Sequence, residues 1–586
     1  MKNNINSSLK ILGIQDGHNA SVALLAGDKI TYALSEERVT RNKNQGGMPI
    51  NAISRLMLDL NLTVKDIDMI SICGSVAPRK EWVDRDLIFE RYKIQSNYKS
   101  SYFRKIVLSI KSKLKITSND SEYKKREALR IKPLLSLGFS EELIHFVDHH
   151  LCHTYAAYYS GGVSDSKTLV LTNDGGGDGL CATISIAKGN NLERLAEIKQ
   201  KESFASLYSR ATFILGLLPL EHEYKVMGMA PYGDYNRSKS ICNKLLGLFN
   251  FDDSSPLTWE RNNKSLPTYL WTRQLEKIFR FKRFDDISLA MQMFVESMAI
   301  KWIQRCLNET GARRVVLGGG LFMNVKLNKL ILELDQVDDL FVMPSCSDES
   351  NSIGAAYYAS DFLFKVSDLK PIEHLYLGAI YDDDVIDNSV SNFLFTNKVT
   401  IKKCDNINIV IAKLLGNGEI VARYFGREEF GARALGNRSI LSDPSKLENI
   451  VKINKMIKQR DFWMPFAGSF CDDDINELIN NPKNHYAPYM VVTFDTNNNV
   501  KNFIAATHPY DKTIRPQMVS KIVNPDYYSI INEFQKNTKK KSGVLNTSFN
   551  LHGYPIVSSP MDALEVFDKS GLKYVAINNY IISKSD

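Results

Sequence analysis

Short apolar runs separated by polar turns dominate the beginning of the chain. Residues 10–36 contain the runs KILGIQ, ASVALLA and ITYALSEE, which are separated by DGHN and GDK. Apolar-rich runs of this length between segments containing Gly, Asp and Asn are typical of strands joined by tight turns. The pattern therefore predicts three consecutive strands.

The same plan recurs further along the chain. Residues 167–200 contain KTLVLTN, LCATISIA and LERLAEIKQ, separated by DGGGDG and KGNN. In both copies an apolar run leads directly into an Asp-Gly pair, at Asp16 and at Asp174. An acidic residue at the tip of a turn, presented twice, favours a duplicated nucleotide-binding fold with the ligand between its halves. Hairpins of this kind also occur without any ligand.

Helical and strand patterns then alternate over residues 285–365. A long helical pattern ends near Gly311, and it is followed by the strand RVVLGGG, a helix beginning near Asn324, the strand DLFVMP and the helix SNSIGAAYYASDF. Short connections of this kind are typical of α/β domains. Because 586 residues are too many for one core, we expect two domains, 1–370 and 371–586.

A basic helical insertion is expected at about 80–132. Residues 101–132 hold ten Lys and Arg against three Asp and Glu, so this stretch supplies +7 of the net charge of +8. Within SYFRKIVLSIKSKLKI the apolar residues share one helical face. They are Phe103, Ile106, Val107, Ile110 and Leu114. The helix is either a solvated amphipathic helix or a cover that shapes access to an anionic ligand.

Composition narrows the class of protein. Hydrophobic residues make up 44% and charged residues 24%, which is ordinary for a soluble globular protein. No stretch approaches the ~18 apolar residues that span a bilayer, and no signal peptide is evident, so a cytoplasmic enzyme is expected. The eight cysteines form no CxxC, which argues against a zinc ribbon or a disulfide framework. Because the positive charge is concentrated in one segment, nucleic acid is not an expected partner.

A metal site is indicated by the segment DHHLCHTYAAYYSGG. His149 and His153 are spaced i,i+4 behind a natural N-cap, Asp148, so their imidazoles should share one helical face. Asp174 and Asp348 follow predicted strands and could complete the site. Imidazole with carboxylate suits Fe(II), Mn(II) or Zn(II) better than Ca(II). The alternative is a polar helix face without a metal.

Two further segments carry candidate chemistry. In GGGLFMN, Gly319 and Gly320 would let the backbone approach a nucleotide, and the helix start at Asn324 favours an anion. In the first turn, His18 beside Asp16 could act as a base. A structural turn residue is the alternative for His18.

The C-terminal part is rich in cations next to amides and hydroxyls. Converging Arg and Lys with such donors suit a triphosphate, whereas isolated ones are more often surface salt bridges. The candidates are Arg433, Arg438, Lys458, Arg460, Arg515, Asn546 and Ser548.

Twelve strings, in order along the chain, resemble the NodU/CmcH family of carbamoyltransferases. They are GHNASVAL, SEERVTRNK, DHHLCHTYAA, DGGGDG, EHEYKVMGMAPYG, GGGLFMN, SDESNSIGAA, EFGARALGNRSILSDP, KQRDFWMPFAG, TIRPQM, LNTSFN and PIVSSPMDALEVF. The resemblance implies an α/β (α+β overall) protein. Its N-terminal domain would be a duplicated RNase H/actin-like domain of the actin/Hsp70 ATPase superfamily, and its C-terminal domain would be YrdC-like.

The resemblance also implies a two-step reaction. The YrdC-like domain would form carbamoyl adenylate from carbamoyl phosphate and ATP with Mg²⁺, and the N-terminal domain would pass the carbamoyl group to a hydroxyl of a small molecule, commonly with Fe(II). The residues that match are His149, His153, Asp174 and Asp348 for the metal, His18, Asp16 and Lys43 for transfer, Gly319, Gly320 and Asn324 for the adenylate, and Arg433, Lys458, Arg460, Arg515, Asn546 and Ser548 for ATP.

Two residues depart from the family pattern, and the sequence also leaves other functions open. Met464 stands where some members have Arg, and Ala432 where some have Pro, so one phosphate contact is in question. Rival functions are modification of a tRNA base, which would need more basic surface, and a non-catalytic nucleotide-binding regulator. A hydrogenase-maturation enzyme is disfavoured because CxxC zinc motifs are absent. Secondary metabolites are the expected acceptors, and a homodimer is left open.

Overall fold

Two five-stranded sheets with one topology form the N-terminal part of the protein. The computed structural model describes residues 9–78, 83–96, 120–262, 264 and 266–585. The first sheet has the order β3-β2-β1-β4-β5, in which the first three strands are antiparallel and the last two run parallel to β1. Its strands are β1 Lys10–Gln15, β2 Ser21–Ala26, β3 Lys29–Ser35, β4 Met69–Cys73 and β5 Ile144–Val147.

The second sheet repeats this arrangement. Its order is β8-β7-β6-β11-β12. Strands β8, β7 and β6 are again antiparallel, and β11 and β12 run parallel to β6. The strands are β6 Thr168–Gly177, β7 Leu180–Lys188, β8 Asn191–Lys199, β11 Arg314–Gly318 and β12 Asp339–Val342. A separate two-stranded sheet, β9 Phe249–Asn250 and β10 Glu260–Arg261, lies between β8 and β11 in the sequence. The duplicated α/β fold predicted from the two Asp-Gly hairpins is confirmed.

The C-terminal part contains one mixed eight-stranded sheet. Its order is β13-β22-β21-β14-β15-β20-β16-β19. The strands are β13 Val399–Lys403, β14 Val421–Tyr424, β15 Arg438–Ser442, β16 Ala467–Cys471, β19 Pro516–Val519, β20 Val544–Ser548, β21 Tyr574–Ile577 and β22 Tyr580–Lys584, with a separate small pair, β17 Ile479–Asn480 and β18 Asp495–Thr496.

Helices surround the sheets, and the four that were predicted at the His149–His153 pair, before Gly311, after Asn324 and after DLFVMP are present. The N-terminal helices are α1 Glu36–Thr40, α2 Ile50–Asp59, α3 Arg85–Ser96, α4 Asp120–Ser136, α5 His149–Ser160, α6 Ala205–Ile214, α7 Glu223–Met229, α8 Tyr235–Leu246, α9 Thr272–Phe279, α10 Phe284–Thr310, α11 Val325–Leu332 and α12 Asn351–Tyr358. The C-terminal helices are α13 Asp383–Asn392, α14 Ile407–Gly416, α15 Glu448–Ile453, α16 Pro525–Thr538 and α17 Pro560–Lys569. Among the described residues, no helix is both long enough and apolar enough to cross a bilayer.

Helix α12 packs closely against α5 and β1, and this contact joins the two halves of the N-terminal part. A Cβ added to Gly354 would lie 1.8 Å from the carbonyl oxygen of Cys152, and a Cβ added to Gly13 would lie 1.9 Å from that of Ser352. Glycine is therefore needed at both positions. The close crossing brings the start of α5 beside the segment that precedes α12.

The N- and C-terminal parts are also joined by buried polar contacts. Arg38 of α1 pairs with Glu428 at 2.7 Å and donates a second hydrogen bond to the backbone oxygen of Gly431, also at 2.7 Å. Apolar side chains of the second sheet and of β16 and β19 belong to one continuous core. The predicted amphipathic face of the basic segment, from Phe103 to Leu114, lies outside the described residues, whereas α3 and most of α4 of the same insertion are described.

Candidate active site

One cavity of about 1350 Å³ is lined by residues of both parts of the protein. Most of the residues singled out from the sequence reach it. Those that line it are Asp16, His18, Lys43, His149, Asp174, Gly320, Asn324, Asp348, Arg433, Lys458, Arg460, Arg515 and Ser548. His153, Gly319 and Asn546 lie behind its surface.

Four of these residues form a compact cluster. The ligand atoms of His149, His153, Asp174 and Asp348 all lie within 4.8 Å of one another. The Nε2 atom of His149 is 3.3 Å from an Asp174 oxygen and 3.7 Å from an Asp348 oxygen. The corresponding distances from His153 Nε2 are 3.4 and 3.5 Å. Two imidazoles and two carboxylates that point at one spot make a candidate site for a divalent metal ion.

Local sequence places the two histidines. The side chain of Asp148 accepts a hydrogen bond from the backbone NH of Leu151 at 2.8 Å, so it caps α5 as predicted. Asp178 accepts a hydrogen bond from the backbone NH of His149 at 2.9 Å and binds the backbone of the loop after β4 as well. The two imidazoles then face the same side of the helix, one turn apart.

The electrostatics of the cluster favour a cation. Burial alone would lower the pKa of His149, but Asp348 and the other neighbours outweigh it and raise this pKa well above its ordinary value. Burial opposes ionisation of Asp174 too, yet hydrogen bonds from His149 and His153 hold its pKa well below the usual range. Positive charge is thus stabilised where the four side chains meet.

The three residues matched to the transfer step occupy different positions. His18 Nδ1 lies 3.2 Å from Asp348 Oδ2, on the side of that carboxylate away from the histidine pair. Asp16 is buried and forms a bidentate pair with Arg130 of α4, at 2.6 and 2.9 Å. Lys43 Nζ lies 3.4 Å from Glu221. Of the three, His18 alone adjoins the four-residue cluster among the described residues.

A second cluster consists of four cations that line the cavity from the C-terminal part. This four-cation cluster comprises Arg433, Lys458, Arg460 and Arg515. Burial lowers the pKa of all four, and their mutual repulsion adds to the effect at Lys458, Arg460 and Arg515; the pKa of Arg460 falls to about 10. None of the four forms an ion pair with a carboxylate in the described part of the chain. Lys458 is buried and the three arginines are half-buried, and cations in this state without counter-ions are typical of a binding site for an anion.

Neighbouring polar groups orient this cluster. Lys458 Nζ donates to Ser548 Oγ at 3.0 Å and to Asn550 Oδ1 at 2.6 Å. Arg460 donates to the hydroxyl of Thr547 at 2.9 Å. Ser548 is the last residue of β20. Asn546, in the same strand, is buried in the interior, where its amide donates to the backbone oxygen of Ala434 at 3.1 Å.

The glycine-rich segment after β11 lies beside the turn that carries Asp174. Gly319 has φ +99°, and a Cβ there would lie 2.4 Å from the Asn173 carbonyl oxygen, so no other residue fits. Gly320 faces Asp174. The side-chain oxygen of Asn324 caps α11, and its amide exchanges hydrogen bonds with Gln292 at 2.9 and 3.0 Å. The amide of Asn324 is therefore already partnered within the protein.

Two family models match the chain. The model described as Carbamoyltransferase N-terminus matches residues 10–357, and the model described as Carbamoyltransferase C-terminus matches residues 412–584. The chain belongs to the carbamoyltransferase family. It is an enzyme of that class, as the resemblance of its motifs predicted.

Relatives of this carbamoyltransferase extend over most of its length. An uncharacterized protein of Methanocaldococcus jannaschii is 33% identical over 98% of the chain and 99% of the relative. The nodulation protein NolNO of Sinorhizobium fredii is 29% identical over 97% of the chain and 79% of the relative. The nodulation protein NolO of Bradyrhizobium diazoefficiens is 30% identical over 75% of the chain and 79% of the relative.

Sequence reasoning missed several residues of the cavity in this carbamoyltransferase. Asn550 had a usable signal, because it lies two positions after Ser548, whose hydroxyl donates to its side-chain oxygen at 2.6 Å. Arg130, which lies behind the cavity lining and holds Asp16, had none, since Asp16 lies 114 positions away. Met464 and Ala432, the two departures from the family pattern, both line the cavity.

Proposed function

We propose that the enzyme is an ATP-dependent O-carbamoyltransferase that makes carbamoyl adenylate from carbamoyl phosphate and ATP and then carbamoylates a hydroxyl of a small molecule. The observation that carries this proposal is that one cavity is lined both by the four-cation cluster and by His149, Asp174 and Asp348. An adenylate made beside the four-cation cluster would reach His149, Asp174 and Asp348 without crossing bulk water. Such a path protects a water-sensitive intermediate.

The proposed chemistry balances in two stages. Water first cleaves the bond between phosphorus and the bridging oxygen of carbamoyl phosphate, which gives carbamate and orthophosphate. A carbamate oxygen then bonds to the α-phosphorus of ATP, and the bond from that phosphorus to pyrophosphate breaks, which gives carbamoyl adenylate. In the second stage the acceptor's hydroxyl oxygen bonds to the carbonyl carbon. The bond from that carbon to the adenylate oxygen then breaks, AMP leaves, and the hydroxyl proton passes to a base.

The four-cation cluster suits the first stage. Negative charge grows on the departing pyrophosphate, and preplaced guanidinium groups such as Arg433 and Arg515 stabilise that charge without reorganising. Burial, followed by the neighbouring Arg460 and Lys43, lowers the pKa of Lys458 well below its usual value. A bound triphosphate would favour the charged ammonium form of Lys458 again. ATP would enter with its own Mg²⁺ as part of the substrate.

The four-residue cluster suits the second stage. Its two imidazoles and two carboxylates fit Fe(II), Mn(II) or Zn(II). A metal ion bound there would polarise the carbamoyl carbonyl. Asp348 holds Nδ1 of His18 at 3.2 Å, which fixes the ring and directs Nε2 away from the carboxylate. Nε2 of His18 would accept the proton of the acceptor's hydroxyl.

Separate assays of the two stages test the proposal. Carbamoyl-phosphate-dependent exchange of labelled pyrophosphate into ATP reports the first stage, and a carbamoyl mass increment on an acceptor reports the second. Arg515→Met should reduce exchange by at least about a hundredfold, since removing one donor to developing charge costs about that much. His18→Ala should retain exchange and lose transfer by about a hundredfold or more.

His145→Ala serves as the control, because His145 lies in β5 outside the cavity lining and stacks on Tyr358. It should alter neither stage. Loss of exchange in His18→Ala, with transfer from supplied adenylate intact, would reverse the assignment of the two ends of the cavity. Absence of carbamoyl-phosphate-dependent exchange in the wild-type enzyme would refute the adenylate itself.

A further inference from the structure

Helices α3 and α6 build a wall of the cavity that belongs to neither cluster described above. Arg210 of α6 lies over the ring of Tyr92 of α3, with its guanidinium carbon 4.0 Å from the ring centroid. The same guanidinium donates a hydrogen bond from Nη2 to the side-chain oxygen of Gln95. Arg210, Tyr92 and Gln95 all line the cavity.

The guanidinium of Arg210 lacks the partners that a buried cation requires. Arg210 is 1% exposed, and its Nε and Nη1 atoms have no hydrogen-bond partner among the residues that the structure describes. In the part of the chain that the structure describes, Arg210 forms no ion pair with a carboxylate. Burial lowers its pKa, and the ring of Tyr92 opposes this only in part. A buried charge left in this state is strongly unfavourable unless an anion completes the site.

Other buried arginines differ from Arg210 in their partners or in their place. Arg423 also has two guanidinium nitrogens without a partner among the described residues, but it does not line the cavity. Arg438 donates to the backbone oxygens of Phe425, Gly426 and Asn437, and it lies outside the cavity lining. Arg130 has the carboxylate of Asp16. Arg210 combines deep burial, free N–H groups and a place on the cavity wall.

Arg210 lies on the helix whose start contacts the Asp174 turn, at the end of the cavity that holds the four-residue cluster. The start of α6 is held against the Asp174 turn, since Ser203 Oγ donates to the Asp174 backbone oxygen at 3.2 Å and accepts from the backbone NH of Ser206 at 3.2 Å. Ser206 and Arg210 are spaced i,i+4 and share one face of the helix. Arg210 therefore lies about 6 Å, one helical turn, beyond Ser206, and about two turns beyond Ser203, which contacts the Asp174 turn.

We propose that Arg210, Gln95 and Tyr92 form a subsite for the acceptor that binds an anionic group, a carboxylate or a phosphate, on the hydroxyl-bearing molecule. This inference rests on the proposed function and names the class of its acceptor. The unpartnered N–H groups of Arg210 are enclosed, so an anionic group would pair with them once the guanidinium turns toward the cavity. A hydroxyl of the same molecule would then extend toward Asp174 and His18. The planar guanidinium fork suits bidentate binding of either anion.

The test uses binding to the full-length enzyme with the nucleotide site filled. Thermal unfolding is followed with saturating ATP and Mg²⁺, in the presence of glucuronate, glucose 6-phosphate or glucose. The two anions carry the two candidate groups on the same ring, and glucose is the neutral control. We expect one or both anions to raise the Tm of the wild-type enzyme more than glucose does. The gain should disappear in Arg210→Met, with an apparent Kd at least tenfold weaker.

Arg423→Met is the matched control, because Arg423 is equally buried but does not line the cavity. It should keep the anion-dependent gain in Tm. Without ligand, Arg210→Met should unfold at a Tm no lower than wild type, since it removes an uncompensated charge and keeps the stem that packs on Tyr92. If Arg210→Met does not fold, Gln95→Leu, which removes the hydrogen bond that orients the guanidinium, should weaken anion binding instead.

Equal stabilisation of wild type and Arg210→Met by the anions would overturn the proposal, and so would a wild-type Tm that no anion raises beyond glucose. Pyrophosphate exchange by the wild-type enzyme, measured in parallel, separates this failure from failure of the proposed function. If the wild-type enzyme exchanges pyrophosphate but its Tm rises no more with the anions than with glucose, only the subsite is refuted. Anion binding through Arg210 without exchange refutes the adenylate chemistry and leaves the subsite standing.

Discussion

The spacing of His149 and His153 has a direct structural consequence, because residues four apart on a helix present their side chains together. The two carboxylates that meet them come from other elements, and the four ligand atoms lie within 4.8 Å of one another. Removal of one ligand should therefore abolish tight metal binding. We expect His153→Ala and Asp348→Asn to retain less than about a tenth of the wild-type metal after gel filtration, as ligand loss costs more than the 10–100-fold effect of outer residues.

Elemental analysis by mass spectrometry measures this, with His145→Ala as a histidine control away from the cluster. Added Ca(II) should not replace the metal, whereas Mn(II) or Zn(II) should, because imidazole ligands disfavour Ca(II). Equal metal content in all four proteins would refute the assignment of His153 and Asp348 as metal ligands.

At the scale of elements, helix α4 anchors the insertion to the first sheet. Arg130 forms a buried pair with Asp16 and donates to the backbone oxygens of Cys73 and Gly74, at 2.6 and 2.7 Å. Breaking such a pair leaves a buried charge alone and costs about 3–5 kcal/mol. Arg130→Met should lower the free energy of unfolding by that amount, measured by urea denaturation. The role of Asp16 then includes holding the turn that carries His18.

Arg313→Met provides the comparison, because Arg313 and Asp338 form an ion pair in which both side chains are more than half exposed. That substitution should cost no more than about 1 kcal/mol. In a double-mutant cycle, Asp16→Asn combined with Arg130→Met should cost less than the sum of the single changes. Additive costs would show that the two side chains act independently.

At the scale of the whole molecule, the proposed passage of carbamoyl adenylate between the two clusters would depend on the seal between the N- and C-terminal parts. Arg38 and Glu428 form part of it, and Ser558 donates to the other oxygen of Glu428 at 2.6 Å. Arg38→Met should loosen the cavity, so that pyrophosphate exchange persists while more adenylate is lost to water. We expect the ratio of AMP released to carbamoylated product to rise several-fold in a coupled turnover assay.

The control is Arg314→Met, because Arg314 donates to Gly161 and Gly162 within the N-terminal part. It should leave the ratio of AMP to product unchanged. A constant ratio in Arg38→Met would mean that the seal does not protect the intermediate.

The local pattern of the sequence was sufficient to predict the duplicated hairpins, the cap at Asp148 and the placement of His149 and His153 on one helix face. These features depend on alternation, helical period and capping, which act within one or two turns of the chain. The same reasoning indicated Lys458 and Arg515 as members of an anion site, because their chemistry is independent of the fold.

Tertiary structure alone decided which of these groups meet. Asp348 joins the histidines because α12 crosses α5 at Gly354, a contact between residues about 200 positions apart in the chain. Asn546 and Ser548 lie two apart in β20, yet Asn546 is taken up by the interior and Ser548 faces the cavity. Sheet order and helix packing determine such contacts, and both arise from apolar burial summed over the whole core, which no local window of sequence contains.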